Sequence, residues 1–304
     1  MEPTSEQRTA DARYAIVLAG GDGLRLSGVT ERLYGYPRPK QYCRLGSEQS
    51  LVEETVRRAL RFTGSLSRVL VSTSRAHREE AEESLADWPV ERIEQPMNRD
   101  TTPGLLLPLL HVLERDPDAT VLVLPSDHHI SDDAAFIDPL AHAVPYLATL
   151  RDTVALAGVR LSEPEPDLGW IVPGATVGPW RRVRSFVEKP PWAEATTLHA
   201  AGALANTFAF VAQAATLGGM VRSLAPQWWS ALSERVHDPA ALTALYQQMP
   251  SSSLSRDVFA HATRSLGVIP LEGVHWCDIG TPERLFEVRD VPMPRLVRSG
   301  RVSR

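Results

Sequence analysis

Lysine is nearly missing from this chain. Of 32 basic residues among 304, only Lys40 and Lys189 are lysine; the other 30 are arginine. Where arginine is used wherever it will serve, a retained lysine marks a place that suits a compact ammonium better than a planar guanidinium. Cysteine is scarce too. Cys43 and Cys277 are too few for a disulfide framework or a thiolate zinc site, and they fit a reducing cytoplasm. No apolar run approaches the roughly 20 residues of a bilayer span, so no membrane segment is expected. A formal net charge of −5 argues against general affinity for nucleic acid or anionic membrane. Positive charge directed at an anionic ligand must therefore be local. The opening MEPTSEQRTADAR lacks the basic-then-apolar order of a secretion signal. Residues 1–13 read as a loose tail, as do residues 291–304, where periodicity ends.

What is present is an alternation. Apolar strand runs at Ala15–Ala19, Arg68–Thr73, Thr120–Leu124 and Thr153–Val159 enclose helical patterns at Ser50–Phe62 and Thr102–Leu113. The strands are continuous apolar runs, as expected when helices cover both sheet faces. The pattern predicts an α/β fold with a doubly wound, mostly parallel sheet, Rossmann-like, with ligands at the carboxyl ends of the strands. Residues 14–160 read as the α/β core. After Leu161, prolines punctuate short strands at Gly169–Pro173, Val183–Glu188 and Leu204–Val211. Further on come a strand at Leu266–Pro270, an edge at Val274–Asp278 and a helix from Pro282, N-capped by Thr281. Residues 161–290 read as an inserted substrate-binding part plus closing elements of the same domain.

The first strand runs into AGGDGLRL, Ala19–Leu26. A Walker loop would end in Gly-Lys-Ser/Thr, which is absent. A dinucleotide fingerprint counted from Gly21 and Gly23 meets Leu26 where a small residue is needed. A tight turn with no ligand stays open. A fourth reading uses more residues: the turn exposes backbone N–H groups to a triphosphate, Arg25 adds charge-assisted hydrogen bonds, and PRPKQY returns Lys40 to the same pocket.

AGGDGLRL followed by PKQY resembles the signature of sugar-phosphate nucleotidyltransferases, and most resembles that of mannose-1-phosphate guanylyltransferases. In order along the chain, EQPMNRDTTP (Glu94–Pro103) is similar to their base-contacting segment and LPSDHHI (Leu124–Ile130) to their metal-aspartate motif. DLGWI (Asp167–Ile171) is similar to the sugar loop, FVEKP (Phe186–Pro190) to the Glu-Lys motif, ANTFAFVA (Ala205–Ala212) to the sugar-binding asparagine, and WCDIGTPERL (Trp276–Leu285) to the second metal aspartate.

The resemblance implies transfer of a nucleotidyl group from an NTP, GTP favoured, to a sugar 1-phosphate, mannose 1-phosphate favoured. The alternative is a catalytically silent relative that binds nucleotide or NDP-sugar and regulates a partner. By resemblance Arg25, Lys40, Asp127 and Asp278 are catalytic, with Asp127 and Asp278 holding Mg²⁺ through hard oxygen donors. Leu18, Ala19, Gly20, Gly21 and Gly23 would meet the nucleotide, together with Arg99, Asp100, Thr101 and Ser126. Gly169, Glu188, Lys189 and Asn206 would hold the sugar phosphate. His128-His129 is not read as zinc-binding, because adjacent side chains point apart and no third ligand stands out. Departures from the family include Leu24 for threonine, a longer loop before Lys40, Asp100 for asparagine, Thr102 for alanine, and Thr207-Phe208 for Ser-Gly. The family's Ser-Ile-Asp element stands here as Ser253-Leu254-Ser255. No cupin or left-handed β-helix stretch follows the last motif, so a single activity is expected, and a homo-oligomer is compatible with it.

Overall fold

Strand β1 (Arg13–Leu18) shows why the apolar runs are continuous. Ile16 joins one core layer with Leu105, Leu109 and Phe210. Ala15 and Val17 join a second layer with Val56 and Leu140 on the other face. Alternate side chains point to opposite faces, and both faces are covered. The computed structural model describes residues 12–291. Apart from residues 12, 13 and 291, the tails expected at 1–13 and 291–304 lie outside the described residues.

The other strands are β2 (Val69–Ser74), β3 (Glu91–Gln95), β4 (Thr120–Pro125), β5 (His128–Ile130), β6 (Val154–Val159), β7 (Gly169–Val177), β8 (Trp180–Glu188), β9 (Leu204–Gln213), β10 (Leu266–Leu271) and β11 (Trp276–Asp278). The main sheet is ordered β3-β2-β1-β4-β9-β6-β10-β8-β7. β3, β2, β1 and β4 are mutually parallel, as are β6 and β10. β9 enters antiparallel between β4 and β6. The β7–β8 hairpin adds to β10, and β7 returns to pair with the start of β9. The fold is thus a doubly wound α/β sheet whose second half is mixed, with strands after residue 161 hydrogen-bonded into it.

Helix ends follow local chemistry. Leu51–Thr63 opens on a capping box of Ser50 and Glu53, and stops at Gly64 with φ 69°. Thr101–Arg115 is capped by Asp100, whose side chain accepts from Thr101 N. Pro282–Val288 starts with Thr281 as cap and Pro282 in the first turn. The long loop before Lys40 is partly helical, at Ser27–Tyr34, and ends on Gly35 with φ 82°. Among the described residues no helix is long and apolar enough to cross a membrane.

Candidate active site

Three neighbouring cavities of about 460, 290 and 390 Å³ lie along the carboxyl ends of the strands, and Asp127 lines all three. The first meets Leu18, Gly20, Gly21, Asp100 and Thr101. The second follows the glycine turn past Gly23 and Arg25 to Lys40. The third holds Gly169, Glu188, Lys189 and Asn206 with Asp278. The residues named from sequence thus gather in one cleft, with three exceptions described below.

PKQY acts through three consecutive side chains. Lys40–Tyr42 is a single 3₁₀ turn. The Gln41 amide donates to Gly21 O at 2.8 Å and the Tyr42 hydroxyl to Ala19 O at 3.0 Å, so both brace the glycine turn. Lys40, 5% exposed, donates to Ile279 O at 2.7 Å. Its ammonium also lies 3.1 Å from Asp127 and 3.5 Å from Asp278. All three N–H donors therefore have takers.

The two aspartates meet because β5 and β11 pair antiparallel, Asp278 opposite His128. Burial alone would raise the Asp127 pKa, but the Lys40 ammonium, aided by His128, holds it down at about 2. Two hard carboxylates close enough to share one cation suit Mg²⁺. His128 completes a trio of possible ligands whose atoms lie within 4.8 Å of one another. However, Trp276 Nε1 donates to His128 Nδ1 at 3.3 Å. Burial also holds the His128 pKa below its ordinary value, against the pull of the aspartates. A neutral ring that accepts at Nδ1 carries its proton on Nε2. That N–H faces Asp127 Oδ1 at 3.5 Å and Asp278 Oδ1 at 4.0 Å, so it presents a hydrogen to the carboxylates and no lone pair to a metal.

The third cavity is built on unusual backbone. Among the described residues, three that are not glycine have positive φ: Asp100 (71°), Lys189 (47°) and Phe208 (58°). All three line the third cavity. Each such conformation costs about 1–3 kcal/mol, which the surrounding structure must offset. A Cβ at Gly169 would lie 2.7 Å from Glu188 Oε2, so any larger residue there would push the carboxylate from its place. Burial raises the Glu188 pKa, against Lys189. Asn206 Oδ1 accepts from Phe208 N at 3.1 Å, leaving its amide N–H₂ to donate.

Three expected nucleotide contacts are spent elsewhere. Arg99 donates to the carbonyls of Tyr246 (2.5 Å) and Gln247 (3.1 Å), anchoring the loop to a helix end. Ser126 is fully buried and its hydroxyl donates to Leu18 O at 2.7 Å, fastening β4 to β1. Ala19 is fully buried and shapes the turn through its backbone, donating to Ser72 O and accepting from Tyr42. Arg25 lines the second and third cavities, with its side chain 58% exposed and 3.8 Å from Asp167.

A nucleotidyl transferase family model matches residues 14–291. The chain belongs to the nucleotidyl transferase family. It is 29% identical over 289 residues to the alginate biosynthesis protein AlgA of Pseudomonas aeruginosa, covering 90% of this chain and 58% of that protein. It is 26% identical to mannose-1-phosphate guanylyltransferase 2 of Escherichia coli O157:H7, covering 90% and 59%. The chain thus spans less than two thirds of the length of these curated relatives. Among solved structures it is similar to one from Thermus thermophilus described as a mannose-1-phosphate geranyltransferase. There the TM-score is 0.77, identity 31%, and coverage 90% of this chain and 79% of that one.

Several residues of this nucleotidyl transferase's cleft were not singled out from sequence. Gln95 lines the first cavity; it lies inside the segment Glu94–Pro103 likened to the base-contacting stretch, and it ends β3, an edge strand whose sequence ERIEQ carries no apolar run. Ser255 and Arg256 reach the third cavity from the Ser-rich segment that departs from the family pattern. Gln41, Tyr42 and Trp276 stood beside recognised residues, and adjacency in the motif was the available signal.

Proposed function

We propose that this chain transfers a nucleotidyl group from an NTP, with GTP favoured, to a sugar 1-phosphate, with mannose 1-phosphate favoured, releasing pyrophosphate. The observation that carries the reading is the cleft itself, in which the glycine turn, the Asp127–Lys40–Asp278 cluster and the Glu188–Lys189–Asn206 pocket adjoin. Mg²⁺ held by Asp127 and Asp278 would supply positive charge against the phosphates. The sugar phosphate oxygen is ionised at neutral pH, so the reaction needs positioning and cations more than a general base. Lys40 offsets the charge of the acid pair. Lys189 and Arg25 bring positive charge to the sugar phosphate and to the leaving pyrophosphate. Asn206 donates to a sugar hydroxyl and Glu188 accepts from one. The cysteine content suits action in the cytoplasm.

Gln95 brings an amide to the first cavity. Ser72 donates to Gly104 O at 2.7 Å, so its oxygen accepts from Gln95 Nε2 at 3.2 Å, and this chain of bonds fixes which way the amide points. Gln95 Oε1 is buried and has no hydrogen-bond partner among the described residues. A Cβ at Gly20 would lie 2.6 Å from Gln95 Nε2, so that glycine makes room for the amide. Guanine offers N1–H and N2–H₂ to such an acceptor, but the other bases carry N–H donors too, so the GTP preference rests on the similarity to a guanylyltransferase.

The test is to incubate the protein with each NTP and a panel of sugar 1-phosphates in Mg²⁺ and follow pyrophosphate. GTP with mannose 1-phosphate should react fastest. No release with any pair would overturn the transferase reading. Faster release with UTP or dTTP would overturn the base preference alone.

A further inference from the structure

Outside the cleft, His111, Glu114 and His237 stand together. The i, i+3 spacing places His111 and Glu114 on one face of the helix Thr101–Arg115. His237 comes from the turn leading into the helix Pro239–Gln248, which Asp238 caps. One ligand atom from each residue lies within 4.8 Å of the other two. His237 Nε2 and Glu114 Oε1 are 2.9 Å apart, and the two imidazole rings meet edge-on at 5.6 Å and 83°.

We propose that this trio is a second metal site, for a divalent ion of the zinc type, separate from the Mg²⁺-suited acid pair of the cleft. Two imidazoles and one carboxylate are a donor set for zinc, whereas Mg²⁺ takes oxygen. With metal–ligand bonds near 2.0–2.2 Å, tetrahedral ligand atoms stand roughly 3.4 Å apart. Glu114 and His237 already approach that closely, and both side chains are exposed enough to turn. His111 has only to close the remaining gap. Nearby Glu91 does not compete, because both its oxygens accept from Arg115 at 2.5 and 2.6 Å. The fourth position faces solvent.

The location gives the ion a structural role. At one end of the helix Thr101–Arg115, Arg99 binds the carbonyls of Tyr246 and Gln247. At the other end, the trio joins it to the turn just before Pro239. An ion there would tie the helix whose first turn lines the nucleotide cavity to Pro239–Gln248 at both ends. Without an ion, the same side chains make only an exposed pair of small consequence.

The experiment titrates the full chain, stripped with chelator and returned to saturating Mg²⁺, with Zn²⁺ by calorimetry. Wild type should take up a zinc ion that His237→Ala and Glu114→Ala each bind at least tenfold more weakly. That zinc should raise the wild-type Tm by a few degrees and leave the Tm of both variants unchanged. Both variants should release pyrophosphate at the wild-type rate in Mg²⁺ alone. Co²⁺ should give visible d–d absorption in wild type that the variants lack. Absence of zinc uptake by wild type, or unchanged stoichiometry and Tm rise in both variants, would overturn the site.

Discussion

Trp276 Nε1 donates to His128 Nδ1 across the β5–β11 pair, and that single bond decides what the imidazole shows to the acid pair. Indole can only donate, so Nδ1 must accept and Nε2 must carry the proton. The ring then turns its N–H towards Asp127 and Asp278 and offers no lone pair to a cation proposed between them. Trp276→Phe keeps an aromatic edge but removes the donor. Losing such an outer partner should weaken Mg²⁺ use or turnover by about 10–100-fold. The check is initial rate against Mg²⁺ concentration. An unchanged half-saturating concentration and rate would reduce Trp276 to packing.

The acid pair itself should be far less tolerant. Asp127→Asn or Asp278→Asn removes a charged oxygen from the proposed Mg²⁺ site while nearly preserving shape. Nucleotide binding, read by calorimetry, should stay measurable, while turnover falls by roughly a hundred- to a thousandfold or more. Rates near wild type in both variants would remove these residues from the metal assignment.

Lys40 tests the scarcity of lysine. Its three donors meet Ile279 O, Asp127 and Asp278 in a space where the side chain is 7% exposed. A guanidinium is longer and planar, and it cannot point three N–H groups to those corners. Lys40→Arg should therefore lose most activity at an unchanged formal charge. Full activity in steady-state assays would mean the lysine survives by chance.

The sheet and the cleft were legible to different degrees, for physical reasons. Buried strands such as β1 and β4 announce themselves because both faces are apolar. β3 did not, because it is an edge strand of alternating burial. The helix Asp133–Leu147 was also missed; it contains Pro139 and Pro145, which read locally as breaks. Asp127, Lys40 and Glu188 were found through motifs. Whether Arg99 and Ser126 face a ligand or a backbone carbonyl depends on side-chain direction, which a motif does not carry. The metal-like trio brings Glu114 and His237 together across 123 positions, and no periodicity announces that meeting.

Stability should depend on pH through the closing segment. Arg289 grips both oxygens of Glu54 at 2.8 and 2.7 Å and donates to His129 Nδ1 at 3.1 Å. Burial, with Arg289 and His275, lowers the His129 pKa to about 4. Unfolded, the ring takes its proton near 6.5, so the unfolded state binds that proton first. The stability from a neutral His129 is complete above about 6.5 and is lost as pH falls towards about 4. Glu54 acts in the same direction at lower pH. Burial would raise its pKa, but Arg289 and Arg58 lower it, so its contribution fades only below the ordinary glutamate range. Tm should fall between about pH 6.5 and pH 4, and His129→Gln should flatten part of that fall. A flat wild-type Tm across this window would contradict the linkage.

The last prediction asks whether the two sides of the cleft are separable. Glu188 lines the third cavity, proposed for the sugar phosphate, while Arg25 also borders the second cavity along the glycine turn. Removing a charged acceptor from a sugar hydroxyl should cost about 1.5–3 kcal/mol, or roughly ten- to a hundredfold in affinity. Glu188→Ala should raise the sugar-phosphate KM and leave NTP affinity nearly unchanged, whereas Arg25→Ala should mainly weaken NTP. Phe208 stands between them. It lines both the first and third cavities at φ 58°, with its ring against Phe210 and Phe259. Phe208→Gly relieves the backbone and opens the wall, so it should broaden the range of sugars accepted without changing base preference. Equal loss of NTP and sugar affinity in Glu188→Ala would show that the third cavity is not a sugar site of its own. An unchanged sugar range in Phe208→Gly would show that the ring's place is set by the core alone.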